Sequence, residues 1–276
     1  MCRLLGAMFV ETGSVEYYLL ESECSVFKQA VKGKQSDGWG ISFYVGRIPI
    51  VFKSEKAVYE EEDKFREVVK STRGKIIIAH VRKASNPRGL SRKKLISPEN
   101  SQPFHYSNYV LAHNGSINIP DEVTKRLGPY RDLIKSNNDS EIYFYLLLSL
   151  IEKEGDIVTA FKKIEKTLVE IFLEEKPSKF NIPFTSLNTV FSDGEKLYSF
   201  TRYLTDLGKS ICYGDSPVFE MCFRVGRDSI IIASEKIDRN TWYPLRNNNL
   251  LVCWVENGSI KYELHDFNTG AVLTGF

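Results

Sequence analysis

The chain has 276 residues, of which 42% are hydrophobic and 26% are charged, and its formal net charge at pH 7 is +2. These values are ordinary for a globular protein that is long enough to bury its own core. The near balance of charge gives no reason to expect nucleic acid or an acidic membrane surface as a partner. No apolar run reaches the roughly 18 residues of a membrane-spanning helix, and the start of the chain does not resemble a signal peptide.

The five cysteines show no CxxC pair and no regular spacing, and most have apolar neighbours. They are Cys2, Cys24, Cys212, Cys222 and Cys253. This pattern favours buried, reduced thiols rather than a disulfide framework. The sequence therefore predicts a protein of the reducing cytoplasm.

The first half of the chain is predicted to contain five strands and two helices. In chain order these are a strand at 4–10, a helix at 15–31, a hairpin of strands at 39–45 and 48–52, a surface helix at 60–70, and strands at 75–81 and 109–113. Between the last two strands, residues 84–104 are polar and lack a period. A loop of this length inside a compact domain more often has a function than serves only as a connection.

The second half begins with two adjacent predicted helices, at 138–153 and 156–174, and then consists of strands. The strands are predicted at 185–191, 196–203, 219–225, 229–234, 250–255 and 260–264. Runs of strands and runs of helices, rather than strict alternation, indicate an α+β protein with layered sheets and helices. No repeat and no linker divides the chain, so we expect one domain over residues 1–276.

The amino terminus suggests a nucleophile, because Cys2 directly follows Met1. Removal of Met1 would leave a thiol and a free α-amine on one residue. An α-amine titrates near pH 7.7–8.0, so it can act as general base for its own thiol. The alternative is that Cys2 merely begins a buried strand, and position two alone does not decide between them.

Three later segments supply groups that would complement such a nucleophile. Arg82 follows a predicted strand, where it is either a surface arginine or a bidentate partner for a carboxylate. Asn114 and Gly115 offer two adjacent donors for an oxyanion, or form an ordinary turn. Asp139 either caps a helix or, if Asn138 or Ser140 does so, binds an ammonium group. A fourth segment, with Gly38 and Trp39, indicates a tight backbone beside a site, or a plain turn.

Taken together, these segments resemble class II glutamine amidotransferases. The resemblance rests on six motifs in order, which are MCRLLG at 1–6, DGWG at 37–40, AHVR at 79–82, NSQPF at 100–104, AHNG at 112–115 and DSE at 139–141. Later segments, NTVFSDG at 188–194 and IASE at 232–235, extend the likeness over most of the chain. The stand-alone branch of the family is the most similar.

The resemblance implies the four-layer αββα sandwich of N-terminal nucleophile hydrolases and a role for each candidate residue. Cys2 would attack the side-chain amide of glutamine and form a thioester, while Asn114 and Gly115 hold the oxyanion. Arg82 would bind the substrate α-carboxylate and Asp139 its α-ammonium, beside Gly38 and Trp39. No metal or cofactor is expected. A chain that retains Met1 is expected to be inactive.

Some features depart from the family pattern or leave the substrate open. Lys83 and Gln102 stand where many relatives have an aromatic residue and a histidine, whereas His80 and His113 are expected to make structural hydrogen bonds. Three functions remain: a glutaminase that delivers ammonia to a separate synthase subunit, an amidohydrolase of another γ-glutamyl compound in thiol or amine metabolism, and an inactive regulatory or binding subunit. The complete set of site residues argues against the third.

Overall fold

A computed structural model describes residues 1–177, 179–205 and 208–275. Fourteen strands lie in these ranges: β1 Arg3–Gly13, β2 Trp39–Val45, β3 Ile48–Ser54, β4 Gly74–Val81, β5 Phe104–Tyr106, β6 Tyr109–Asn114, β7 Asn188–Ser192, β8 Leu197–Thr201, β9 Met221–Val225, β10 Ser229–Ala233, β11 Tyr243–Leu245, β12 Asn249–Glu256, β13 Ser259–Asp266 and β14 Val272–Gly275.

Six α-helices lie in the same part of the chain, together with a π-helical turn at Tyr17–Glu21 and a 3-10 helix at Gly128–Leu133. The α-helices are α1 Val26–Lys32, α2 Glu62–Ser71, α3 Arg92–Leu95, α4 Pro120–Thr124, α5 Asp139–Glu154 and α6 Ile157–Glu175.

The strands form two antiparallel sheets, which we call sheet A and sheet B. Sheet A has the spatial order β11-β9-β10-β1-β4-β2-β3, and sheet B has the order β14-β13-β12-β8-β7-β6-β5. In the centre of sheet A, β1 pairs with β4 so that Arg3 lies opposite Val81. In sheet B, β6 pairs with β7 so that Asn114 lies opposite Asn188.

The two sheets pack face to face because alternate residues of their strands are apolar on the inner side. Leu4 and Met8 of β1 and Ile78 of β4 meet Val110 and Ala112 of β6 in one buried cluster. Side chains of a strand alternate between its faces. The remaining apolar residues of these strands therefore point away from the other sheet.

Helices cover both outer faces, which gives four layers. On sheet A, Leu5 and Ile77 pack with residues of α1 and α2 such as Ala30 and Phe65. On sheet B, Leu111 and its neighbours pack with the long helices α5 and α6. A sheet that is buried on both faces needs strands that read as continuous apolar runs, as in KIIIAHV. The predicted α+β class and its αββα layers are confirmed.

The predicted helix at 15–31 is wrong as a continuous element. Helical structure stops after Glu21, and Ser22 takes an extended conformation. After the π-helical turn, the helix α1 begins only after Ser25, whose side chain accepts a hydrogen bond from the Lys28 N–H. A serine at this position caps a helix start, which favours a new helix over a continued one.

The prediction that all five cysteines are free thiols is also wrong. Cys24 and Cys212 form a disulfide across 188 residues of sequence, whereas Cys2, Cys222 and Cys253 are free. The pairing of distant cysteines cannot be read from spacing alone. The cysteine pattern thus gives no support to the expected cytoplasmic location.

Within the described ranges, no helix combines the length and the apolar character that crossing a lipid bilayer requires.

Candidate active site

The candidate nucleophile, Cys2, lies at the start of β1 against the residues that follow β4. Because Arg3 is opposite Val81 in the register, the chain carries Cys2 alongside Arg82 and Lys83. The Cys2 Sγ lies 3.3 Å from the Lys83 carbonyl oxygen, to which it donates. It also lies 3.4 Å from the Lys83 N–H, from which it accepts. The side chain is buried, with a residue exposure of 6%.

Asn114 reaches the nucleophile from the opposite sheet. Its Oδ1 accepts a hydrogen bond of 3.1 Å from the backbone nitrogen of Cys2. This bond fixes the orientation of the amide, and its Nδ2 is buried without a hydrogen-bond partner among the described residues. An unpaired buried donor is costly and rare in native proteins. Next to a candidate nucleophile, such a donor suits a negative charge that develops during reaction.

Gly115 follows Asn114 where sheet B approaches the site, and the space there excludes a side chain. A Cβ on Gly115 would lie 1.9 Å from the carbonyl oxygen of Ser186. The absence of a side chain lets the main chain of Gly115 pass close to the segment that carries Ser186.

A cavity of about 160 Å³ opens beside these three residues. Cys2, Asn114 and Gly115 line it, together with Ser85 and Thr185. The structure therefore brings the three residues predicted to be catalytic to one cavity wall. Ser85 and Thr185 carry no motif that sequence reasoning could have used.

Arg82 and Asp139 lie behind the cavity wall rather than on it. Arg82 is buried, and its Nη1 donates to the carbonyl oxygens of Asp37 at 3.2 Å and of Leu95 at 2.8 Å. Asp139 is also buried, and its Oδ1 accepts a hydrogen bond of 2.7 Å from the Ser85 hydroxyl. Its Oδ2 accepts one of 2.7 Å from the Ile117 N–H. Both charges nevertheless act on Cys2, since Arg82 lowers the pKa of its thiol and Asp139 raises it.

The cap of α5 explains why Asp139 is available for another role. Asn138 is the capping residue, and its side chain accepts a hydrogen bond of 2.9 Å from the Ser140 N–H. Of the two sequence alternatives, capping by Asn138 is therefore the one observed. The Asp139 carboxylate turns instead toward Ser85 and the cavity wall.

Gly38 and Trp39 lie next to Arg82 and not in the cavity wall. Gly38 has a φ of +124°, and its carbonyl oxygen accepts a hydrogen bond of 2.8 Å from the Arg82 N–H. A Cβ at Gly38 would lie 2.3 Å from the hydroxyl of Ser101. The Trp39 side chain is fully buried, where its Nε1 donates to Glu61. It is a core residue and does not line the cavity.

Asp37 is a structural residue whose role sequence reasoning missed. Its Oδ2 accepts a hydrogen bond of 2.8 Å from the Ala84 N–H, and its Oδ1 accepts one of 2.9 Å from Arg92. Burial alone would raise the pKa of Asp37, but these hydrogen bonds and one from Ser36 lower it. Asp37 thereby ties the connection 82–103, which carries Ser85, to the strand end beside Cys2.

Gln102 ties the far end of the same connection to β6. Its Oε1 accepts a hydrogen bond of 2.6 Å from the His113 N–H, and its Nε2 donates to the His113 carbonyl at 3.1 Å. The His113 ring contacts Ser140 Oγ and the Ser186 carbonyl, each at 2.9 Å. The hydrogen bonds expected for His113 are confirmed, whereas those expected for His80 are not, because both of its ring nitrogens are buried without a partner among the described residues. His80 is buried beside His113, and burial lowers its pKa well below the usual value.

The Cys2 thiol requires a base at neutral pH. Burial raises its pKa above the usual value, against the lowering effects of the amino terminus, the Lys83 backbone and Arg82. The thiol is therefore mostly protonated, and a reaction through sulfur needs a group that accepts its proton.

One group of three potential metal ligands lies in the described part of the chain, away from this cavity. The ligand atoms of Cys24, Cys212 and Glu235 lie within 4.8 Å of one another. Both sulfur atoms are already joined in the disulfide. Thiolate is the form in which cysteine binds metals, so this group does not fit a metal ion while the disulfide persists.

Known proteins share both the sequence pattern and the fold. The sequence profile of the family described as glutamine amidotransferases class-II matches residues 1–261. An uncharacterised protein of Methanocaldococcus jannaschii is 28% identical over 281 residues, which cover 95% of this chain and 71% of that protein.

Two solved structures share the fold, each at 16% sequence identity. A glutamine aminotransferase class-II domain protein of Silicibacter pomeroyi superposes with a TM-score of 0.65 over 96% of this chain and 99% of that one. The glutamine phosphoribosylpyrophosphate amidotransferase of Bacillus subtilis superposes with a TM-score of 0.60 over 96% of this chain and 49% of its own. The fold is thus of the N-terminal nucleophile hydrolase type, and the chain belongs to the class II glutamine amidotransferases.

Proposed function

We propose that the chain hydrolyses the side-chain amide of glutamine, with Cys2 as nucleophile after removal of Met1, and releases ammonia for transfer. One observation carries this proposal above all. The Cys2 nitrogen holds Asn114 through its Oδ1 at 3.1 Å, while the Asn114 Nδ2 stays buried and unpaired in the same corner. Nucleophile, base and oxyanion donor would then occupy one site.

Removal of Met1 would turn the Cys2 nitrogen from a peptide amide into a free amine. This amine would take the proton of the Cys2 thiol, and the sulfur would attack the amide carbon. The Asn114 Nδ2 and the Gly115 N–H would stabilise the resulting oxyanion. The amine then returns the proton to the leaving ammonia, which leaves a glutamyl thioester. Water, deprotonated by the same amine, would release glutamate and restore the thiol.

Recognition of the amino acid end is proposed for Arg82 and Asp139. Their charges would pair with the α-carboxylate and the α-ammonium of the substrate. The Ser85 hydroxyl donates a hydrogen bond to Asp139 Oδ1. An arriving ammonium group would displace this hydroxyl and so open the cavity wall toward Asp139. Gly38 and Trp39 would act indirectly, by supporting Arg82 through the Gly38 carbonyl.

The proposed fate of the ammonia is delivery to a separate synthase subunit. A different γ-glutamyl compound remains the alternative substrate, because the same two charges would bind its amino acid end. A screen of glutamine against γ-glutamyl amines and γ-glutamyl thiol peptides separates these substrates. Turnover of γ-glutamyl conjugates without turnover of glutamine would replace the proposal by the alternative.

The decisive test combines intact-mass spectrometry with a glutamine-derived diazo-ketone that alkylates the nucleophile. We expect protein that lacks Met1 to gain one adduct, located on Cys2, and to release ammonia from glutamine. The Cys2→Ala variant should take no label and show no turnover, whereas Cys222→Ala, which alters another buried thiol, should keep both. Processed protein without label or turnover, or full activity in protein that retains Met1, would refute the mechanism.

A further inference from the structure

A second cavity lies between the edges of the two sheets and shares no lining residue with the cavity at Cys2. Its volume is about 310 Å³, within the range of small-molecule sites. Val51 and Lys53 of β3 form one wall, and Phe104 and His105 of β5 form another. The remaining walls come from the segment before β5 and from the start of α5.

Three nitrogen-bearing side chains converge on this cavity, those of Lys53, His105 and Lys135. Burial, with a smaller effect from the charge of Lys135, lowers the pKa of Lys53 to about 8. Burial also lowers the pKa of His105, and the charges of Lys53 and Lys135 add to this effect. His105 is therefore neutral near pH 7, whereas the positive charges of Lys53 and Lys135 repel each other across the same space.

The Lys53 ammonium lacks a polar partner in the described part of the protein. Its Nζ lies 4.8 Å from the centre of the Phe104 ring. The ion pairs among the described residues include neither Lys53 nor Lys135. Lys53 is half-buried, and a cation that faces an aromatic ring without an ion-pair partner can still gain from binding an anion.

The two carboxylates at the cavity are already engaged with hydrogen-bond donors. Glu141 accepts hydrogen bonds from the Lys135 N–H at 3.2 Å and the Ser136 N–H at 2.7 Å. Hydrogen bonds from its own backbone and from Ser97 lower the pKa of Glu99. Both acids raise the pKa of Lys53, so they keep it charged without forming a close ion pair with it.

We propose that this cavity is a binding site for a small anion, a carboxylate or a phosphate, whose apolar part lies against Phe104 and Tyr145. Lys53 and Lys135 supply the charge, and His105 supplies a neutral hydrogen-bond partner. The bound anion separates the two cations and gives the Lys53 ammonium its missing partner. The site is independent of the chemistry at Cys2, and its occupancy is measurable without turnover.

The test is calorimetric titration of the full chain with sodium phosphate and, separately, with sodium benzoate, at constant ionic strength set by chloride. We expect saturable one-to-one binding of at least one of the two. Binding of phosphate alone assigns a phosphate ester, and binding of benzoate alone assigns a carboxylic acid. Saturable binding of neither anion overturns the proposal.

Variants locate the binding. Lys53→Gln should weaken it about tenfold or more, as expected when a charge-assisted hydrogen bond is lost. Lys70→Gln, the same change on exposed α2, should leave it unchanged. Lys135→Gln alters an exposed side chain and provides a second charge removal that leaves the fold intact. Binding that is the same in both cavity variants overturns the assignment, and the Cys2→Ala protein should bind like the unaltered one.

Discussion

At the residue scale, the pairing of Asn114 with Cys2 makes the oxyanion role directly testable. Replacement of Asn114 by alanine removes the unpaired Nδ2 donor without filling the cavity. We expect kcat for glutamine hydrolysis to fall about 100- to 1000-fold, with a much smaller change in KM, because the donor acts on charge that appears in the transition state. Steady-state ammonia release measures both constants.

The matched control for this variant is Asn108→Ala. The Asn108 amide donates to the Asp193 carbonyl, in the hairpin between β5 and β6 and away from the cavity. Its kcat should match that of the unaltered protein. An Asn114→Ala protein with undiminished kcat would remove Asn114 from the proposed mechanism.

The raised pKa of the Cys2 thiol predicts a pH profile with a defined sign. Because the thiol stays protonated near neutrality, the reaction depends on the neutral form of the Cys2 amine after Met1 is removed. An unperturbed α-amine titrates near 7.7–8.0. We expect kcat/KM to rise about tenfold per pH unit until the pH reaches the amine pKa. A flat profile from pH 5.5 to 8 would contradict this base.

At the element scale, Gln102 fastens the connection 82–103 to β6. Its side chain occupies both the N–H and the carbonyl of His113, directly before Asn114. Gln102→Ala would leave these buried groups unpaired, at a cost of about 1–3 kcal/mol in the free energy of unfolding. We also expect a higher KM for glutamine, because the connection carries Ser85. Urea unfolding and steady-state kinetics measure the two effects.

A suitable control for this variant is Gln29→Ala. Gln29 is also buried, and it donates to the Cys24 carbonyl, on the outer face of sheet A. Its unfolding free energy should fall in a similar way, whereas its KM should not change. If both variants raised KM equally, the effect of Gln102 would be one of general stability.

The predictions of strands and helices were correct where the pattern of side chains alone determines the secondary structure. Runs such as KIIIAHV and the apolar stretch of α5 identified β4 and α5, because elements buried on nearly every side contain few polar residues. The short strands β5, β11 and β14 were not predicted. Each has only three or four residues, so pairing with a neighbour, rather than its own pattern, determines its conformation.

The candidate site, too, was predicted only in part from the sequence. Cys2, Asn114 and Gly115 were identified from motifs, and the fold brings them to one cavity. The local sequence around Arg82 and Asp139 could not reveal that both are buried and already hydrogen-bonded. That result depends on Ser85 and Leu95, whose positions are set by a connection without periodic structure. Sequence identifies such residues, but tertiary packing decides what they contact.

At the scale of the whole molecule, the site exists only because the two sheets stack. Cys2 directly precedes β1 of sheet A and Asn114 ends β6 of sheet B, and the hydrogen bond between them spans 112 residues of sequence. The inner apolar cluster that holds the sheets together therefore also sets the distance between nucleophile and oxyanion donor. Changes in that cluster should affect catalysis even where they do not touch the cavity.

The disulfide between Cys24 and Cys212 gives the last prediction at this scale. It closes a loop of 188 residues, and a cross-link of this length restricts the unfolded chain strongly. Cys212→Ser should lower the free energy of unfolding by about 2–5 kcal/mol. Guanidinium unfolding of both proteins, with and without a phosphine reductant, measures this difference. The reductant should destabilise the unaltered protein to the level of the variant and leave the variant unchanged, because both then lack the same cross-link. An unaltered protein that is insensitive to reductant, and equal in stability to Cys212→Ser, would show that the cross-link does not stabilise the fold.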